Sequence, residues 1–170
     1  MNIALIGYRG TGKSTIGKMV AAEIKMELRN MDALIIEKAG MSIPMIVETY
    51  GWDQFRDFET EVLEEVMKND NQVLDCGGGI IIRAENREML SRSGDVFWLT
   101  ASVDTIAERI AEDSQRPSLT GKSFIEEIGE VLKEREPLYR HSASHVIDTE
   151  SMSAQEAARQ IIELSGAGNK

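Results

Sequence analysis

The run Gly7-Tyr8-Arg9-Gly10-Thr11-Gly12-Lys13-Ser14-Thr15 holds the residue types needed to grip a polyphosphate. Glycines let successive backbone N–H groups converge on phosphate oxygens, Lys13 can reach the β- and γ-phosphates, and the Ser14 hydroxyl can sit on Mg²⁺. Gly10, Thr11, Gly12 and Thr15 complete a cradle at the mouth of a helix, whose positive end favours an anion. Such a pattern carries weight only between a strand and a helix. Asn2 to Ile6 reads as a buried strand, and Ile16, Met19, Val20 and Ile24 follow at the helical period, with Thr15 and Ile16 expected to open the helix proper. Nucleotide binding follows, while kinase, GTPase, ATPase and nucleotide-dependent regulator remain open.

Other clusters bear on that choice. In Asn30-Met31-Asp32, the Asp32 carboxylate could orient an acceptor hydroxyl and take up its proton, or it could cap the helix that Ala33 to Ile36 would begin. Arg56 and Glu59 lie one helical turn apart; the planar Arg fork can give two parallel hydrogen bonds to a carboxylate while Glu59 holds it, although a solvated ion pair has the same spacing. Val73-Leu74-Asp75-Cys76 runs straight into Gly77, Gly78 and Gly79, which suggests a close approach to the main chain or an ordinary flexible turn. Asp75, at the end of that strand, is placed like the acid that holds a Mg²⁺-bound water in P-loop folds. Arg109, Arg116 and Arg135 would by type alone be solvated.

In order and spacing these clusters resemble shikimate kinase from about residue 2 to residue 148. The resemblance implies that Asp32 matches the second aspartate of an Asp-x-Asp pair, with Asn30 departing from the first, and that Arg56 in Phe55-Arg56-Asp57-Phe58-Glu59 binds the substrate carboxylate. It implies that Gly78 and Gly79 contact shikimate. Arg109 would contact adenine, Arg116 in Arg116-Pro117-Ser118-Leu119 would be the lid cation, and Arg135 in Arg135-Glu136-Pro137-Leu138-Tyr139 a second carboxylate ligand. The implied reaction is MgATP-dependent phosphorylation of the 3-hydroxyl of shikimate, with Lys13, Asp32 and Arg116 catalytic and Ser14, with Asp75 through a water, at the metal. On this reading Asp75 offsets the carboxylate missing at Asn30. The alternatives are another small-molecule kinase such as a gluconate kinase, and a non-catalytic nucleotide-dependent binding module. Two arginines set for a carboxylate favour the acid, and Asn30 is the feature that speaks for the module.

Positioning these residues requires several elements. Strands are expected at Gln72 to Cys76, Asp95 to Leu99 and His145 to Ile147, with a brief one ending near Asn30, and helical stretches between them. This alternation predicts a three-layer α/β sandwich, a central mostly parallel five-stranded sheet flanked by helices, of the P-loop NTPase and nucleoside monophosphate kinase type. One domain over 1–170 is expected, with a helical substrate-binding insertion at 31–62 and a lid loop at 111–123. Ser123 with Glu126, and Ser153 with Glu156, have the spacing of reciprocal capping pairs.

Composition narrows the partners. Nineteen Lys and Arg against twenty-nine Asp and Glu give a net charge of -10, which disfavours nucleic acid and favours small-molecule partners; the resemblance implies that these are ATP and shikimate. Cys76, the single cysteine, cannot pair within the chain and reads as a small buried residue. No segment has the length or apolarity of a signal peptide or membrane span, so a cytoplasmic location without a membrane partner is expected. A monomer is implied by the resemblance. His141 and His145 read as surface or structural residues.

Overall fold

A computed structural model describes residues 1–111 and 123–169. Five strands form one sheet in the order β2-β3-β1-β4-β5, with β1 at Asn2–Ile6, β2 at Glu27–Asn30, β3 at Gln72–Asp75, β4 at Gly94–Thr100 and β5 at His145–Asp148. Every pairing is parallel, so the sheet is wholly rather than mostly parallel. A parallel sheet covered on both faces must bury both sides of its central strands, which is why β1 reads Ile3-Ala4-Leu5-Ile6 without a polar break.

The period-two alternation of β1 divides the core. Ile3 and Leu5 join Val73, Phe97 and Leu99 under α1 (Lys13–Ile24) and α8 (Ala154–Ser165). Ala4 and Ile6 point the other way, joining Leu74, Val96 and Trp98 beneath α2 (Met31–Ala39), α3 (Ile43–Tyr50), α4 (Trp52–Val66) and α5 (Ala84–Ser93). Two more helices, α6 (Val103–Ile110) and α7 (Phe124–Ser142), pack together over Tyr8. The helical stretch after β2 is thus three helices, broken at Gly40 and Gly51, both at positive φ.

Local signals place the helix starts. Ser153 and Glu156 form the reciprocal capping box, whereas Ser123 caps α7 without a side-chain bond, so only one of the two expected pairs forms. The cap of α2 is Asn30, whose Oδ1 accepts from the Ala33 amide at 2.8 Å. Asp32 is therefore not the cap; it lies in the first turn of α2, where the helix dipole favours a carboxylate. The phosphate-loop helix begins at Lys13, earlier than Thr15, because Gly12 turns the chain with φ 98°.

Candidate active site

All five strands run in one direction, so their carboxyl ends share one rim, where ligands of open α/β sheets bind. A cavity of about 640 Å³ opens there, walled by Lys13, Ser14, Asn30, Asp32, Asp75 and Gly78 among others. Gly10, Gly12, Thr15 and Arg109 also line it. The loop after β1 supplies one wall. Lys13 is 7% exposed, and its Nζ donates to the Gly7 and Tyr8 carbonyls at 2.8 and 2.9 Å. The Thr11 hydroxyl donates to the Tyr8 carbonyl at 2.8 Å, bracing the turn from inside.

The opposite wall is acidic. β2 and β3 pair with Asn30 in register with Asp75, so two side chains at adjacent strand ends must meet. Asp75 Oδ2 accepts from the Ser14 hydroxyl at 2.6 Å and from the Asn30 amide at 2.9 Å. Burial pushes the Asp75 carboxyl above its usual range, opposed by the Ser14 bond and the Lys13 charge, with the Asp32 charge adding to the rise. Hydroxyl and carboxylate oxygens are the hard donors that Mg²⁺ prefers. Among the described residues no three His, Cys, Asp or Glu side chains form a metal cage, as suits an ion that arrives with nucleotide phosphates and keeps its waters. The donor set fits magnesium.

Beyond Asp75 the chain turns through the three glycines, and here the spaced arginines come together. A Cβ on Gly77 would meet Asp32 Oδ1 at 3.0 Å and Glu59 Oε2 at 3.1 Å. On Gly79 it would overlap the Arg56 guanidinium, and Gly78 lies beside an Arg135 nitrogen. Arg56 thus excludes a side chain at Gly79, and Asp32 with Glu59 leaves little room for one at Gly77, whereas a Cβ on Gly78 would make only ordinary contacts. Arg56 and Glu59 are an ion pair at 2.8 Å with side chains 9% and 0% exposed, so the solvated alternative does not hold. Both sit on the face of α4 that otherwise buries Phe55, Val62, Leu63 and Val66, and an interior charged pair on such a face is costly without a task. Trp52 and Phe55 lie under the Arg56 guanidinium. Arg56 and Arg135 border the glycine turn and do not line the large cavity itself.

α7 delivers Arg135 together with Tyr139, for which the sequence alone indicates no role. Tyr139 is fully buried, and its hydroxyl donates to the Gly78 carbonyl. Burial raises the phenol to about 12, and the Arg135 charge pulls the other way. Pro137 lies between them in the helix and has no amide hydrogen to give to the preceding turn. The signal for Tyr139 was the Pro-Leu-Tyr run itself, but nothing in it names the carbonyl it meets.

Arg109 reaches back to the phosphate loop, donating to the Gly10 carbonyl at 3.2 Å and to the Thr149 hydroxyl and carbonyl at 3.1 and 3.2 Å. An adjoining cavity of about 400 Å³ is bounded by Thr11, Thr15, Arg109, Thr149 and Met152. Thr149 is the partner that sequence reasoning missed. Arg116 and most of the expected lid lie outside the described residues. Cys76 is buried as expected, its thiol pushed up by burial. His145 stacks on Phe97 at the sheet edge, a structural position.

Comparison with known proteins agrees with this geometry. Residues 9–165 match the shikimate kinase family. The chain belongs to that family. It is 40% identical over 148 residues to a shikimate kinase of Nitratidesulfovibrio vulgaris, covering 85% of each chain. It is 41% identical over 167 residues to shikimate kinase 2 of Photorhabdus laumondii, covering 96% of this chain and 95% of the relative. A shikimate kinase from Acinetobacter baumannii, solved in complex with shikimate, superimposes with TM-score 0.92 at 37% identity, over 96% of this chain and 91% of its own. A gluconokinase from Sinorhizobium meliloti, at TM-score 0.56 and 15% identity, shares the fold alone. Members of the family are phosphotransferases that use ATP and act on an alcohol group.

Proposed function

We propose that this chain transfers the γ-phosphoryl group of ATP to the 3-hydroxyl of shikimate, giving shikimate 3-phosphate and ADP. The observation that carries this reading is the convergence of Arg56 and Arg135 on a glycine turn that also touches Asp32, beside the phosphate-loop cavity. Two buried guanidinium groups on one side of a candidate base suit an acceptor that has both a carboxylate and a hydroxyl.

In this reading the acceptor carboxylate binds Arg56, held by Glu59, and Arg135, with the ring against Gly78 and Gly79. Asp32 orients the hydroxyl and takes its proton as the new oxygen–phosphorus bond forms. The bond from γ-phosphorus to the bridging oxygen breaks in line with it, and ADP leaves without a phosphoenzyme. The Gly10 to Thr15 backbone cradles the phosphates, Lys13 turns its ammonium to the transferring group, and Arg109 borders the adenine. Ser14, and Asp75 through a water, hold Mg²⁺, which when bound neutralises charge on the β- and γ-phosphates. Arg116 supplies a further cation from a lid at 111–123. The three helices α2 to α4 act as the acceptor-binding insertion of one domain.

We also propose that the chain works as a cytoplasmic monomer on small molecules alone. Its net charge of -10 opposes nucleic-acid binding, and among the described residues no helix is long and apolar enough to cross a membrane. The deciding experiment is ADP release by purified protein with MgATP and, in turn, shikimate, gluconate or nucleoside monophosphates. Release dependent on shikimate alone is expected. Turnover with gluconate instead, or no acceptor-dependent turnover, would overturn the assignment.

A further inference from the structure

The resemblance to shikimate kinase makes Asn30 a missing carboxylate, yet its contacts give it work that a carboxylate could not do. Its Oδ1 accepts from the Ala33 amide, a group that can only donate, so the side-chain amide has one orientation and its Nδ2 must face Asp75. Register holds the two residues together, because Asn30 and Asp75 are direct partners at the ends of β2 and β3. On its other side Asp75 receives the Ser14 hydroxyl with the same oxygen that receives Asn30. A continuous chain of bonds therefore runs from Ser14 through Asp75 and Asn30 to the first turn of α2, which carries Asp32.

We propose that Asn30 and Asp75 are one interlocked unit that admits a single carboxylate, and that Asn30 is a positioning residue tying the metal-side Ser14 to the helix start that bears Asp32. This deepens the kinase reading and rests on it for the roles of Ser14 and Asp32. In this unit the negative charge sits on β3, and the amide on β2 is the donor that charge requires. Restoring a carboxylate at position 30 would then harm the site. An aspartate there still caps α2, but it turns a 2.9 Å donor–acceptor contact into two facing carboxylates.

The test is thermal melting of N30D, D75N and N30D/D75N in the presence of EDTA, where no metal bridges the pair. N30D is expected to lower the midpoint by about 5 °C. D75N, which replaces the opposing oxygen with a donor, is expected to recover most of that loss in the double variant. A wild-type midpoint in N30D would overturn the interlock, and so would an undiminished loss in N30D/D75N. A second arm addresses the tie to the metal. N30S keeps a capping hydroxyl but is too short to reach from the cap to Asp75. It should weaken Mn²⁺-dependent ADP binding, read by calorimetry, by about fivefold, the scale of one lost hydrogen bond, while leaving ADP binding in EDTA unchanged. Unchanged Mn²⁺-dependent binding would refute the tie. Neither arm uses an acceptor, so their failure is distinct from a failure of the shikimate assignment, which the ADP-release panel decides.

Discussion

Gly79→Ala is a perturbation aimed at one side chain. Gly79 has no positive φ, so alanine meets no backbone penalty there. The new Cβ would lie less than 3.0 Å from both terminal nitrogens and the central carbon of the Arg56 guanidinium, so Arg56 must swing aside. A hydrogen bond to a charged group contributes about 1.5 to 3 kcal/mol. Losing the alignment of Arg56 with the acceptor carboxylate should therefore raise the KM for shikimate roughly 10- to 150-fold. The KM for ATP should hold, because the phosphate loop makes none of the contacts that the methyl group disturbs. Overpacking of this kind costs about 1 to 3 kcal/mol, or roughly 2 to 12 °C in melting midpoint for a chain this long. Steady-state ADP release over a grid of both substrates, beside a melt, separates the effects. Arg56→Lys, which keeps charge but not the fork, should show the same KM pattern. An unchanged shikimate KM in folded Gly79→Ala, or an equal rise for ATP, would refute the role given to Arg56.

Lys13→Ala should cost at least about 100-fold in kcat, the scale of losing one preorganised charge from a phosphoryl-transfer site; near-normal turnover would contradict its assignment. Tyr139→Phe leaves the Gly78 carbonyl without its buried donor, so a loss of about 1 to 3 kcal/mol is expected in denaturant melts, with the stacked Trp98 contact kept. Glu150 accepts from the Ser102 amide and from the Ser102 and Thr105 hydroxyls at the start of α6, bonds that hold its carboxyl below the ordinary range. A carboxyl whose folded pKa is depressed stabilises the fold above the unfolded value, near 4.3 for Glu, and that stability disappears as pH falls through the folded value. Glu150→Gln should thus melt below wild type at neutral pH, with the gap closing below about pH 4; a gap constant with pH would count against the ionic bonds.

The strand-to-helix context of the phosphate loop was legible because both parts are local: an unbroken apolar run and an apolar stripe at helical period. β2 was barely legible, since its four edge residues, an exposed Glu27 and the half-buried Leu28, Arg29 and Asn30, carry no strong alternation. Helix ends were read well where the cap was a unique local fit, as at Ser153. At Asp32 the sequence left base and cap both open, and the structure gives the cap to Asn30, because Asn caps equally well and the choice depends on where the strand stops.

From its own residues the sequence determined the phosphate loop, the alternation that makes a parallel sheet, and the candidates Asp32, Arg56 and Asp75, whereas Arg109 and Arg135 stood out only through the resemblance to shikimate kinase. The former rest on spacing within a strand, a turn or a helix, where covalent geometry sets which side chains are neighbours. Tertiary structure decided that Arg56 and Glu59 are buried, that Arg56 and Arg135 meet at one glycine turn, and that Tyr139 holds the Gly78 carbonyl. It also decided that the amide of Asn30 is the partner of Asp75. Such contacts join residues tens of positions apart, and only the packing of the sheet and its covering helices brings them within hydrogen-bonding distance.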